Sequence, residues 1–288
     1  CIEKNIMIIS PEEMQKRITE NDAVLITTAR YLDVAHQLEG YECLRNIDCY
    51  IYTILKSEQE DYDRERVIVP SNCCSRLDIC IPKVIHYCWF GGGEIPEQNR
   101  RWMESWKKYC PDYQIKEWNE ENYDISKNLY IKQAYEKQKW AFVSDYVRVD
   151  VIAQYGGVYL DTDVELLKNI DPLLKNEAFC GFESSRYVSF GLGFGAVKKH
   201  KIIEGLRDQF EERQFIQQNG EVDLTTSAVY QTRFLEQQGL KRNGQFQMLE
   251  HMTVYPVRTL CPMSVYSFKM MKNLEDSYSI HHFMGSWL

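Results

Sequence analysis

Trp140-Ala-Phe-Val-Ser-Asp-Tyr-Val-Arg-Val-Asp-Val-Ile-Ala-Gln-Tyr-Gly-Gly-Val-Tyr-Leu-Asp-Thr-Asp163 is the stretch that decides the fold. Trp140–Tyr155 reads as a helix, and Gly157–Asp161 as a short strand ending in carboxylates. At about 100° per residue, Ser144, Asp145 and Arg148 lie within a quarter-turn of one another, while Trp140, Val147 and Val151 share a different face. A serine, an acid and a base inside an apolar helix must find partners, because burying them unpaired costs several kcal/mol. With period two, Tyr159, Asp161 and Asp163 point to one side of the strand. Carboxylates at i and i+2 repel unless a cation lies near them, and hard oxygen ligands suit Mg²⁺ or Mn²⁺. Gly156-Gly157 permits a tight turn or a close backbone approach. An isolated Asp-x-Asp is usually just an acidic turn; here the helix and the Gly-Gly step give it weight.

Upstream, Val84–Phe90 reads as a buried strand closing on Gly91-Gly92-Gly93. Pro96–Tyr109 reads as a helix with Trp102, Trp106 and Tyr109 on one side, and Tyr113–Trp118 as another strand. Alternating helices and strands predict an α/β sandwich with a largely parallel sheet over residues 80–288. Within residues 1–79, a strand at Asp22–Thr28, a helix at Ala29–Leu38 and a strand at Cys49–Leu55 make a small Rossmann-like α/β half-domain or extension. Residues 56–66 are highly charged and read as a solvated linker or exposed helix.

The sequence of 288 residues carries a formal charge of −8 and a pI near 5.4, against binding to nucleic acid, which needs dense positive charge. The longest run free of Asp, Glu, Lys and Arg, Ser277–Leu288, has twelve residues, and a membrane span needs about 20. No basic start followed by an apolar core is visible, and the chain opens on Cys1; a leader or anchor upstream stays open. The ten cysteines form no C-x-x-C pair and no zinc-finger spacing, so they are read as reduced thiols in a reducing compartment.

The array S-D-x-x-R followed by G-G-x-Y-x-D-x-D, preceded by Ile81-Pro82-Lys83-Val84-Ile85-His86 and Trp89, resembles glycosyltransferase family 32. These DXD-motif sugar transferases include capsular-polysaccharide enzymes and fungal mannosyltransferases. The array is also similar to the catalytic core of the large clostridial glucosylating toxins. The resemblance spans residues 80–288 and implies a GT-A fold, a nucleotide-sugar donor with UDP-sugars favoured, a divalent metal, and retention of anomeric configuration. It implies that Asp163 ligates the metal and that Asp161 contacts the ribose or a metal-bound water. Asp145 and Arg148 would hold sugar hydroxyls and the diphosphate side, with Ser144 and Tyr159 lining the pocket. Trp89 would stack on the nucleobase, although a plain core tryptophan is a comparable reading.

The closing segment Ile280-His281-His282-Phe283-Met284-Gly285-Ser286-Trp287 resembles the end of such transferases, where a histidine completes the metal shell. His282 is favoured as that ligand because it directly precedes Phe-x-Gly, with His281 as the alternative. Imidazole beside carboxylate suits Mn²⁺ better than Mg²⁺. Ser286 and Trp287 would close over the donor. The catalytic set expected is Asp145, Arg148 and Asp161, and the metal set Asp161, Asp163 and His282. Thr225-Thr226-Ser227 stands where many members carry Thr-Gly-Pro, which implies a remodelled acceptor pocket. Gly191-Leu-Gly193-Phe-Gly195 lacks dinucleotide spacing and is read as a strand and turn near the acceptor, leaving an oxidoreductase or epimerase without its glycine-rich turn. A glycan or lipid-linked oligosaccharide acceptor, as in capsular or surface polysaccharide synthesis, would bring a cytoplasmic enzyme to the inner face of a membrane by peripheral association. A non-catalytic nucleotide-sugar-binding protein and a toxin-like protein glycosyltransferase are the alternatives.

Overall fold

The computed structural model describes residues 10–19, 21–27, 31–52, 78–265 and 268–284. The chain separates into two compact units, residues 1–60 and 61–288. In the first, Ser10 caps helix α1 (Pro11–Arg17) by accepting from the Glu13 N–H. Strand β1 (Ala23–Ile26), helix α2 (Tyr31–Glu39) and strand β2 (Asp48–Ile51) follow, and the two strands pair in parallel. β1 falls inside the run read as the first strand, and β2 begins one residue before the second; the ends of both runs, residue 28 and residues 53–55, lie outside the described residues. The charged stretch 56–66 lies outside the described residues.

The second unit is built on a seven-stranded sheet. Its strands are β3 (Val84–Cys88), β4 (Gln114–Trp118), β5 (Gly157–Tyr159), β7 (Ala178–Gly181), β8 (Phe194–Ala196), β9 (Gln247–Leu249) and β10 (Met252–Tyr255), in the order β4-β3-β5-β8-β7-β10-β9. A separate pair joins β6 (Val164–Leu166) to β11 (Ser279–His281), antiparallel. The α/β class is the one expected, but the sheet is mixed rather than largely parallel. β3 runs parallel to β4 and β5, whereas β8 runs antiparallel to both β5 and β7. The reversal at β8 goes with its connection: between β7 and β8, residues 182–193 hold one 3₁₀ turn and no α-helix of the kind that usually carries the chain across to a parallel neighbour.

Helix α3 (Glu97–Tyr109), helix α4 (Leu129–Glu136) and helix α5 (Trp140–Tyr155) precede the carboxylate turn; α6 (Lys201–Asp208) and α7 (Ser227–Gln237) follow it. α5 is the central one. Eleven of its sixteen residues are buried, from Phe142 to Ala153, so apolar side chains surround it and the amphipathic pattern of a surface helix is absent. It ends at Gly156 and Gly157, whose φ values of +69° and +107° lie in the region that favours glycine. A Cβ on Gly157 would stand 2.8 Å from the Val84 carbonyl and 2.9 Å from His86 Nε2, so glycine also lets β5 lie against β3. Among the described residues, no helix is long and apolar enough to cross a membrane.

Candidate active site

The site lies at the carboxyl ends of β3 and β5, where an open α/β sheet leaves a crevice. β5 stops at Tyr159, two residues short of the expected strand, and Thr162-Asp163 form a turn before β6. The Val164 N–H donates to the Asp161 carbonyl at 3.0 Å, so a turn rather than strand alternation sets the two carboxylates side by side. Tyr159 and Asp161 do share a side, as period two required: the Tyr159 hydroxyl donates to Asp161 Oδ1 at 2.9 Å.

Arg148 joins α5 to this turn. Its Nη2 stands 3.2 Å from Asp145 Oδ1 and 3.3 Å from Asp161 Oδ1, and its Nε donates to the Ser144 carbonyl at 3.2 Å. The guanidinium also sits over the Tyr159 ring, 5.1 Å from its centroid. Asp145 and Arg148 are 6% and 5% exposed, which makes the pair an internal one, dependent on its partners for compensation. Burial pushes the Asp145 carboxyl above its ordinary range, although Arg148 opposes this, and the Asp161 charge adds to the rise. Burial also raises Asp161, but Arg148, His281 and Tyr159 outweigh it and hold that carboxyl below its ordinary value.

The ring that joins the carboxylates is that of His281. Its Nε2 lies 3.3 Å from Asp163 Oδ1 and 3.9 Å from Asp161 Oδ2. His282, the favoured ligand, points elsewhere: its Nε2 meets Glu165 Oε2 at 3.0 Å, and its ring stacks on Trp102 at 4.0 Å. The reason is strand geometry. His281 ends β11, and neighbouring side chains along an extended segment face opposite ways. Burial lowers the His281 pKa, but Asp163 and Asp161 outweigh it and hold the pKa above its usual value.

One donor atom each from Asp161, Asp163 and His281 lies within 4.8 Å of the others, the single such grouping among the described residues. Two carboxylate oxygens and an imidazole nitrogen form a set that Mn²⁺ accepts readily and Mg²⁺ accepts through its oxygens. At 3.3 and 3.9 Å the histidine is farther from both acids than in a strong hydrogen bond, so these atoms converge without saturating one another. The residues fit a divalent cation.

Ser144 is adjacent but turned into its own helix, its hydroxyl donating to the Trp140 carbonyl at 3.1 Å. Trp89 follows β3, and its indole N–H donates to the Gly93 carbonyl at 2.6 Å. Trp89 is partly buried and packs against the hydrophobic core. Ser286 and Trp287 lie outside the described residues. Two residues that the sequence reading set on the acceptor side, Ser227 and Gly191, lie against the Asp145–Arg148–Asp161 charges. Ser227, the first residue of α7, lies beside the Asp145 carboxylate and works against its burial-driven rise. Gly191 backs the acid–base pair: a Cβ there would stand 2.4 Å from Asp161 Oδ2 and 3.1 Å from Arg148 Nη1. The glycine spacing of Gly191-Leu-Gly193 was the signal for this close approach.

Residues 96–180, from the start of α3 through β7, match the family described as "Glycosyltransferase sugar-binding region containing DXD motif". That region contains Asp145, Arg148, Asp161 and Asp163, and its match shows the resemblance to glycosyltransferase family 32. The chain is 33% identical over 142 residues to mannosyl phosphorylinositol ceramide synthase CSH1 of Saccharomyces cerevisiae, covering 44% of this chain and 35% of that protein. It is 30% identical over 141 residues to inositol phosphoceramide mannosyltransferase 3 of Schizosaccharomyces pombe, covering 45% and 37%. The chain thus spans little more than a third of either relative. Among solved structures, the PaToxG glycosyltransferase superposes with a TM-score of 0.41 at 16% identity, covering 64% of this chain and 76% of that one.

Proposed function

We propose that this chain is a metal-dependent retaining glycosyltransferase that moves a hexose or N-acetylhexosamine from a nucleotide-sugar donor to a glycan or lipid-linked acceptor. The observation that carries this reading is the convergence of Asp161, Asp163 and His281 beside the Asp145–Arg148–Asp161 chain of charges. Mn²⁺ or Mg²⁺, held by those three residues, would supply positive charge to the departing diphosphate.

Arg148 adds a fixed cation on the same side. Its planar fork is held by two carboxylates and the Ser144 carbonyl, so it needs no reorganisation as negative charge develops on the leaving group. Asp145, kept in place by Arg148, offers its acceptor oxygens to donor-sugar hydroxyls. Tyr159 orients Asp161. Trp89 supplies a stacking face for the base, worth about 1–3 kcal/mol in contacts of that kind. UDP-sugars head the donor set, with GDP-mannose beside them, and the yeast relatives, named for mannosyl transfer to inositol phosphoceramide, add that lipid as an acceptor beside capsular or surface polysaccharide.

The test is release of nucleoside diphosphate from a panel of UDP-glucose, UDP-galactose, their N-acetyl relatives and GDP-mannose, with Mn²⁺ and with EDTA. One donor is expected to turn over with Mn²⁺, with no turnover in EDTA or in Asp163→Ala. Undiminished release by Asp163→Ala at saturating Mn²⁺ contradicts the proposal.

A further inference from the structure

Helix α3 touches the cation-binding segments at four points, all from one face. Asn99 Nδ2 donates to Thr162 Oγ1 at 3.0 Å, and Thr162 is the residue between Asp161 and Asp163. Trp102 stacks on His282 with the rings 4.0 Å apart and 9° from parallel, and His282 is the neighbour of His281. The Ser105 hydroxyl accepts from the Leu166 N–H at 2.8 Å, and Trp106 Nε1 donates to the Val164 carbonyl at 2.8 Å, fixing both ends of β6. Positions 99, 102, 105 and 106 recur at three- and four-residue steps, the spacing that lines up one side of a helix. Asn99 and Thr162 are 5% and 8% exposed, so their hydrogen bond is sheltered from competing water.

These contacts fall on residues that flank the ligands and not on the ligands themselves. The backbone closes the arrangement: β6 pairs with β11 in a register that opposes Val164 to His281, and the His282 N–H donates to the Asp163 carbonyl at 3.0 Å. Two acidic side chains and an imidazole from distant parts of the chain would otherwise spread apart. A rigid helix fastened beside each of them sets their separation before any cation arrives, and such outer contacts are what orient ligands in metal sites.

We infer that α3 is a splint for the cation site, with Asn99 and Trp102 as positioning residues that hold Asp161, Asp163 and His281 at binding distance through Thr162 and His282. The inference rests on the metal-binding reading of those three residues. Neither Asn99 nor Trp102 touches the cation or the donor in this scheme.

The experiment measures the Mn²⁺ dissociation constant of the full chain without donor, from the electron paramagnetic resonance signal of free Mn²⁺. The variants are Asn99→Ala, Thr162→Val, their combination, Trp102→Ala and Trp102→Phe, with thermal midpoints recorded in EDTA. Asn99→Ala and Thr162→Val are each expected to weaken binding by about 10- to 100-fold. Their combination is expected to be no weaker than either alone, because both remove one hydrogen bond. Trp102→Ala is expected to lose affinity, and Trp102→Phe, which keeps a stacking face, to recover most of it. Wild-type affinity in Asn99→Ala, Thr162→Val and Trp102→Ala overturns the inference, as does a loss that merely follows the fall in thermal midpoint. Should Trp102→Ala fail to fold, Thr162→Val, which keeps the side-chain shape, decides by itself. No Mn²⁺ binding by the wild-type chain brings down the metal reading, and this inference with it.

Discussion

Arg148 Nη2 lies 3.3 Å from Asp161 Oδ1, tying the deeply buried helix α5 to the turn that carries the carboxylate pair. Asp145 stands on the other side of the same nitrogen at 3.2 Å. Removing this one cation would leave two carboxylates facing each other in a sheltered site.

Arg148→Lys is therefore expected to lose most donor turnover while folding, because an ammonium cannot span both acids and the Ser144 carbonyl as the planar fork does. Arg148→Met is expected to be less stable by about 3–5 kcal/mol, the scale for breaking a buried pair. Diphosphate release checks the first and urea unfolding the second. A wild-type rate in Arg148→Lys removes this residue from the chemistry.

Gly191→Ala is a finer probe. The added methyl would press on Asp161 Oδ2, which Tyr159 and Arg148 hold in place, so the carboxylate must turn. Turnover is expected to fall at least about tenfold, roughly 1.4 kcal/mol in barrier, with little change in unfolding free energy. An active Gly191→Ala enzyme would mean that Asp161 has freedom that the contacts deny.

His86 gives the fold a pH signature. Trp118 Nε1 donates to its Nδ1 at 3.0 Å and its Nε2 meets the Gly156 carbonyl at 3.0 Å, so the neutral ring satisfies both partners and a second proton would face an N–H. Burial drives its pKa down from 6.5 to about 4, against the opposing pull of the Gly156 carbonyl. The unfolded chain takes up this proton near 6.5 and the folded chain only near 4, so the contribution is whole above 6.5 and is lost as pH falls toward 4. Across that interval it amounts to about 3 kcal/mol at most. Urea titrations between pH 6.5 and 5 should show a steeper loss in wild type than in His86→Gln; equal slopes would contradict the assignment.

Thiol reactivity follows burial. Among the described cysteines Cys49 is exposed, and Cys88, Cys110, Cys180 and Cys261 are buried. Burial raises the Cys88 thiol to about 12 and that of Cys110 to about 11, so neither supplies thiolate near neutrality. Mass-spectrometric mapping after brief alkylation at pH 8 should find Cys49 modified and the four buried thiols modified only in denaturant. Rapid labelling of Cys88 in the native chain would show that the core beneath Tyr159 opens.

What the sequence could tell depended on range. α5 was readable to its ends because a long uninterrupted run stops at Gly156-Gly157, and Ser144, Asp145 and Arg148 fall together by helical geometry alone. Tyr159 and Asp161 were readable from strand alternation, but Asp163 takes its place through a turn whose pairing with β11 is set by tertiary contacts. The choice between His281 and His282 turned on where β11 ends and on Trp102, packed from a remote helix. Ser227 and Gly191 were set on the acceptor side for the same reason: the residue that each adjoins lies far away in sequence. The mixed sheet was missed because the direction of β8 depends on how residues 182–193 return the chain to the sheet, which hydrophobic patterning does not encode.

The most direct test is an anomalous difference map from crystals soaked in Mn²⁺ and a nucleoside diphosphate, recorded at the manganese edge. A single peak coordinated by Asp163 and His281, with Asp161 beside it and His282 still stacked on Trp102, is the expected result. A manganese peak elsewhere with this trio unliganded would contradict the account.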